Sequence, residues 1–242
     1  MMISEKTIQK LRSLDTPTIC NIIELFNIRP YNTGYMDKRI QACFPELPPM
    51  VGFAATATFR AGGPPLSGEG YFGLLDQVRH FGELSGPPVI VFQDLDDPAT
   101  AATFGEIMCT TYQAFKAVGL ITSGAGRDLQ QVHALKFPVF TNGTICSHGY
   151  VHFPQIHVPI HVGGITIYPD DLIHGDQNGV TTIPIEIASE VVDVGDEFLA
   201  AENVVLNAMR GNNPSITTLK EAYSESKRQI QNLKNRLSRS TP

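Results

Sequence analysis

The chain has no tryptophan and only four cysteines among its 242 residues. Cys20, Cys43, Cys109 and Cys146 lie far apart, and no Cys-x-x-Cys pair occurs. Neither a disulfide framework nor a thiolate zinc site is indicated, and reduced thiols in a cytoplasm are expected. Basic residues are in deficit: 18 Lys and Arg stand against 24 Asp and Glu, a formal net charge of -6. That balance argues against general nucleic-acid affinity, which needs a basic surface to displace counterions. It leaves room for a small acidic ligand, which needs only a local arginine. No apolar run is long enough to span a bilayer, so no membrane partner is expected. The opening MMISEKTIQKLRSLD lacks the apolar segment of a secretory leader. The glycine-rich loop Ala61–Gly70 lacks the G-x-x-x-x-G-K-[ST] pattern of a phosphate cradle and reads as a surface loop.

What is present is enough for one substantial core, with a 42% hydrophobic share. Ile3–Leu14 reads as a short helix. Asp15-Thr16-Pro17 starts a second, with Ile19, Ile22, Ile23 and Phe26 on one face. Residues 29–50 read as loop. Val51–Phe59 alternates and reads as a strand with one apolar face. Tyr71–Leu84 is expected to be helical, and Pro88–Gln93 a buried strand. Asp94, Asp96 and Asp97 read as a solvated turn. His148, His152, His157 and His161 match no zinc spacing and are read as packed or hydrogen-bonded, with His157 and His161 on one face of a strand over 156–162. Short strands are expected at Gly164–Tyr168, Leu172–His174 and Val180–Ile183. A helix over Ile187–Met209 is expected to break at Gly195, and a charged helix runs from Ser215 to Leu237. The alternation of strands and helices indicates a mixed α/β domain. We divide it into residues 1–212 and a C-terminal charged helix and tail, 213–242.

The chain is organised around TFGEIMCTTYQAFKAVGLITSGAGRDLQQVHALKFPVF, residues 103–140. A helix is expected from Gly105 to Gly119, a strand at Leu120–Thr122, a glycine turn at Gly124–Gly126, a helix over Asp128–Leu135 and a strand over Phe137–Phe140. Two helix N-termini, two carboxylates (Glu106, Asp128) and one guanidinium (Arg127) would then converge. Helix N-termini receive anions, arginine forks a carboxylate, and aspartate holds a hard cation or caps a helix. A purely structural role stays open: Asp128 as a cap, and Arg127 paired with Glu106. Leu129 stands where a dinucleotide fingerprint needs its third glycine, so a nicotinamide site is not expected.

FGEIM at 104–108, VGLITSGAGRDLQQVHALKFPVF at 118–140 and VPIHVGGITIYPDDLIHGDQNGVTTIP at 158–184 together resemble the RraA-like family. That family includes class II 4-hydroxy-4-methyl-2-oxoglutarate / 4-carboxy-4-hydroxy-2-oxoadipate aldolases and non-enzymatic regulators of an RNA-degrading endonuclease. The resemblance covers residues 10–190. It implies a β/β/α sandwich-type fold with flanking helices, to which the C-terminal helix is an addition. It also implies a homotrimer or dimer of trimers with sites between subunits. It assigns Arg127 to the carboxylate of a small oxo acid and Asp128 to a divalent cation, Mg2+ or Mn2+. Glu106 would order the cation's waters, while Gly105 and the backbone amides of Ile107 and Met108 contact substrate. Regulator-type members replace the acid at 128 with an amide; this chain keeps Gly124, Arg127, Asp128 and Glu106. The implied activity is a metal-dependent lyase yielding pyruvate and a second carbonyl compound, with a binding or regulatory protein on the same fold as the alternative. Neither Lys116 nor Lys136 is placed by pattern for a Schiff base.

Overall fold

The computed structural model describes residues 3–66 and 72–239. The expected loop over 67–70 and the start of the expected helix at Tyr71 lie outside the described residues. The chain divides into two compact units.

The first unit holds residues up to Thr16 and Gly34–Ile185. It begins with α1 (Glu5–Leu11), capped by Ser4, whose hydroxyl accepts the Thr7 N–H. Helix α2 (Thr16–Phe26) starts here and continues into the second unit. In order there follow β1 (Gln41–Ala42), β2 (Met50–Phe59), α3 (Leu74–Arg79), a 3-10 turn (His80–Glu83), β3 (Pro88–Asp94) and β4 (Ala102–Phe104). Next come α4 (Glu106–Ala114), β5 (Gly119–Thr122), β6 (Ala125–Gly126), α5 (Leu129–Ala134) and β7 (Val139–Thr141). The unit ends with β8 (Ile160–Val162), β9 (Ile165–Ile167), β10 (Leu172–Asp176) and β11 (Gly179–Ile183).

Seven strands form one sheet in the order β1-β7-β5-β3-β2-β10-β11. The β2, β3, β5 and β7 neighbours are parallel; β10 joins β2 antiparallel. Parallel strands are covered on both faces, and β2 is buried along its full length. The alternation expected to mark one apolar face therefore marks two: Ala57 and Phe59 enter one core, Ala54 the other. Strand β3 does the same, sending Ile90 and Phe92 to the first core and Val89 and Val91 to the second. Cys109 and Tyr112 of α4 and Val132 of α5 close the first core; Ile160, Val162 and Ile167 of the β8–β9 hairpin close the second. This is the expected β/β/α layering. Each large side chain so buried contributes about 1.5–3 kcal/mol relative to exposure.

The second unit holds Pro17–Thr33 and residues from Glu186 onward. Its long helices are α6 (Ala188–Arg210) and α7 (Ile216–Leu237), which pack on each other. The break expected at Gly195 does not occur: α6 is continuous, and Gly195 is buried in its packed face with Val191, Val194 and Phe198. One glycine costs about 1 kcal/mol against alanine, too little to interrupt a packed helix. Ser215 caps α7 through the Thr218 N–H. Arg236 pairs with Glu197 at 2.7 Å, and Arg239 with Glu190. The unit groups α7 with α6 and most of α2, on both sides of position 212.

Candidate active site

Strands β4 and β6 pair in parallel, Ala102 with Ala125 and Phe104 with Gly126. The Arg127 N–H then donates to the Phe104 carbonyl at 3.2 Å. Gly105-Glu106 and Arg127-Asp128 consequently leave adjacent strands side by side. Gly126 must be glycine for this, because a Cβ there would lie 2.1 Å from Cζ of Phe104.

Asp128 adopts φ 56, ψ 35, a left-handed conformation that Asp takes more readily than most residues. It is the N-cap residue of α5, and its carbonyl accepts the Val132 N–H at 2.9 Å, but its side chain makes no cap. Instead Oδ2 accepts the Glu106 N–H at 3.1 Å and lies 3.7 Å from Arg127 Nε. Oδ1 has no such partner among the described residues. The Arg127 and Asp128 side chains are 32% and 34% exposed, open enough to meet a solute. Gly105 makes the approach possible, since a Cβ on it would stand 2.6 Å from Asp128 Oδ2 and 3.0 Å from Arg127 Nε. Its φ of -159° is ordinary extended backbone, so the requirement is space alone.

Glu106, Ile107 and Met108 form the first turn of α4, whose N–H groups have no intrahelical acceptor. Asp128 takes the first of them; those of Ile107 and Met108 remain for another acceptor. Glu106 is exposed and makes no ion pair with Arg127 among the described residues, so the structural bridge left open above is not formed. The second expected helix N-terminus contributes little, because α5 has six residues and starts at Leu129. The Cys109 thiol is pushed up to about 12, first by burial and then by the nearby Asp128 charge, so it is no nucleophile. Lys116 and Lys136 sit just past the C-terminal ends of α4 and α5. At 1.5 Å per residue that is more than about 10 Å from the Gly105–Asp128 end, too far for a Schiff base there.

A family model described as RraA-like (Aldolase/RraA) matches residues 16–182. The chain belongs to this family. A protein of Halalkalibacterium halodurans provisionally named a 4-hydroxy-4-methyl-2-oxoglutarate aldolase is 36% identical over 101 residues, which cover 41% of this chain and 48% of that protein. An uncharacterized protein of Methanocaldococcus jannaschii is 34% identical over 76 residues, covering 31% of this chain and 36% of that one. The chain thus spans about half or less of the length of these relatives. Among solved structures, an uncharacterized protein from Pseudomonas syringae superposes with a TM-score of 0.72 at 22% identity, covering 93% of this chain and 95% of that one. RraAS2 of Streptomyces coelicolor, described as an unusual member of the RNase ES inhibitor RraA family, gives 0.68 at 20% identity, covering 87% and 99%. These two likenesses are of fold.

The RraA-like core also places an acid that the sequence reading put in a solvated turn. Asp94 ends β3, beside the Gly124 turn that follows its parallel neighbour β5. Its carboxyl is pushed up to about 6, chiefly by burial; the hydrogen bond it accepts from the Asp96 N–H opposes this, while the Asp96 and Asp97 charges add to it. It lines a cavity of about 270 Å³ with Arg39, Asp96, Ser123, Asn142 and His161. Asp96 is held by the Ala61 and Gly62 N–H groups, each at 2.7 Å. Gly124 admits Asp94: a Cβ there would lie 2.4 Å from Asp94 Oδ2. The legible signal was position, since the carboxyl ends of parallel strands are where such sheets bind ligands.

Proposed function

We propose that this RraA-like protein is a divalent-metal-dependent lyase that cleaves a 4-hydroxy-2-oxo acid to pyruvate and a second carbonyl compound, with oxaloacetate decarboxylation as a side activity. The observation that carries the reading is the Asp128 carboxylate, turned away from its helix by a left-handed backbone and anchored through Oδ2 alone. A carboxylate with one oxygen unused suits a hard cation such as Mg2+ or Mn2+ that keeps most of its waters. Asp128 would hold that cation, which when bound supplies Lewis-acid stabilisation of charge on the 2-oxo oxygen. Arg127 receives the substrate's 1-carboxylate as a bidentate fork. The Ile107 and Met108 N–H groups donate where charge develops. Glu106 orders water that accepts the C4 hydroxyl proton as the C3–C4 bond breaks. The bonding pair becomes the enolate of pyruvate, and a proton returned to C3 completes the methyl group. Ile107 is 77% exposed beside this site, which supports an assembly, trimer or dimer of trimers, in which a second copy covers this edge.

The test is pyruvate release from oxaloacetate and from 4-hydroxy-4-methyl-2-oxoglutarate, with Mg2+, with Mn2+ and with EDTA. We expect release that needs the metal and falls on the order of a hundredfold in Arg127→Ala, the loss of one charge-assisted contact of about 3 kcal/mol. Release unaffected by EDTA would exclude the metal route. No release from either compound would favour a binding or regulatory protein on this fold.

A further inference from the structure

The four clustered histidines do not behave alike. His148 Nδ1 meets the Gly149 carbonyl at 2.8 Å, and His152 Nδ1 the Tyr150 carbonyl at 2.7 Å. His161 lies on β8 with its side chain exposed. The expected strand over 156–162 is only Ile160–Val162, so His157 and His161 do not share a strand face. His157 instead has φ 55, a left-handed conformation that His takes more readily than most non-glycine residues, and its N–H is tied to the Thr56 carbonyl at 2.8 Å.

So placed, His157 meets the 3-10 turn His80–Glu83. Residues i and i+3 eclipse in such a turn, which puts His80 and Glu83 on one face. Glu83 bridges the two imidazoles: Oε1 is 2.9 Å from His80 Nδ1, and Oε2 is 3.7 Å from His157 Nε2. The rings are nearly parallel, 16° apart with centroids at 5.4 Å. One donor atom from each of the three residues lies within 4.8 Å of the other two.

We propose that His80, Glu83 and His157 form a two-histidine, one-carboxylate site for a divalent first-row transition metal of the zinc class. A tetrahedral ion with bonds of about 2.0–2.2 Å holds its ligand atoms roughly 3.3–3.6 Å apart. Glu83 meets the two imidazoles through different oxygens, Oε1 at 2.9 Å and Oε2 at 3.7 Å, and one donor atom from each residue lies within 4.8 Å of the others, so side-chain shifts of about 1 Å would bring three donors to tetrahedral separations. Imidazole donors favour zinc, cobalt, nickel or copper over magnesium, which separates this site chemically from the all-oxygen chemistry at Asp128. Three protein ligands leave a fourth position for water or a solute. The ion would also tie the 3-10 turn to the Ile156–His157 segment that bridges to β2 at Ala57.

The test uses the full chain, stripped of metal and titrated with Co2+, read by visible d–d absorption and by thermal melting. Wild type and Asp128→Asn are expected to bind one equivalent at this site, read as the intense absorption of tetrahedral Co2+ that an all-oxygen site lacks, and to melt a few degrees higher with it. His80→Ala and His157→Asn are expected to weaken that binding at least tenfold. Asparagine tolerates the left-handed backbone, so the second variant keeps its fold, which circular dichroism verifies. Absence of cobalt binding in wild type would overturn the proposal. So would intense tetrahedral d–d absorption that survives either histidine change in the Asp128→Asn background, or such absorption lost in Asp128→Asn alone.

Discussion

Gly105 was legible in the sequence as the opening of a helix, but its reason was not. Two side chains from a segment more than twenty residues later crowd the place its Cβ would take. Gly105→Ala is therefore expected to displace the Arg127–Asp128 pair. Both side chains are partly exposed and can move, so stability should change by less than about 1 kcal/mol. Turnover should fall at least tenfold, measured as kcat/KM beside the melting temperature. Asp128 needs a different choice of variant. Its left-handed φ makes Asp128→Ala costly to the backbone by about 1–2 kcal/mol, whereas Asp128→Asn keeps the conformation and removes only the charge. Loss of metal-dependent turnover in Asp128→Asn, with the melting temperature retained, isolates the carboxylate's role. Asp94 shows a related limit: three acids in four positions read as a solvated turn, and only the fold shows that the first of them ends β3 half-buried.

The elements that read well were those with a strong period or a long apolar run, α1, β2, β3 and α7, together with the short β5, which sits between two helical patterns. Those missed were too short to carry a pattern. β1 has two residues inside the stretch read as loop, and β4 has three whose role depends on pairing with β6. Pairings across the chain were equally invisible. His174 of β10 is fully buried, with Nε2 donating to the Leu11 carbonyl at 3.0 Å, which leaves Nδ1 to accept from the Thr16 hydroxyl at 3.0 Å. Asp176 accepts the Thr16 N–H at 2.9 Å. Burial lowers the His174 pKa below its usual 6.5 despite the opposing pull of Leu11 and Asp176. Below about pH 6.5 the unfolded chain takes up a proton that the fold refuses, so stability falls as pH falls. His174→Gln is expected to remove up to about 1.4 kcal/mol per pH unit of that slope, read from urea unfolding between pH 5 and 7.

At the scale of the whole molecule, the division at 212 is a proposal about function rather than packing. Deleting residues 213–242 removes the helix against which α6 packs and the Arg236 and Arg239 ion pairs. The exposed pairs are screened by water and contribute little, so most of the loss comes from the uncovered apolar face. The truncated chain is expected to melt several degrees lower while its Arg127–Asp128 segment keeps its local geometry, checked by pyruvate release at low temperature. No helix among the described residues is long and apolar enough to cross a membrane. The full burial of β2 also has a consequence in time. Its antiparallel neighbour β10 is encoded more than a hundred residues later. At a synthesis rate of about 5–20 residues per second, the ribosome delivers β10 on the order of ten seconds after β2. Throughout that interval the apolar run MVGFAATATF lacks one edge partner. A nascent chain stalled near residue 150 should bind chaperones and yield to protease, and one released whole should do neither.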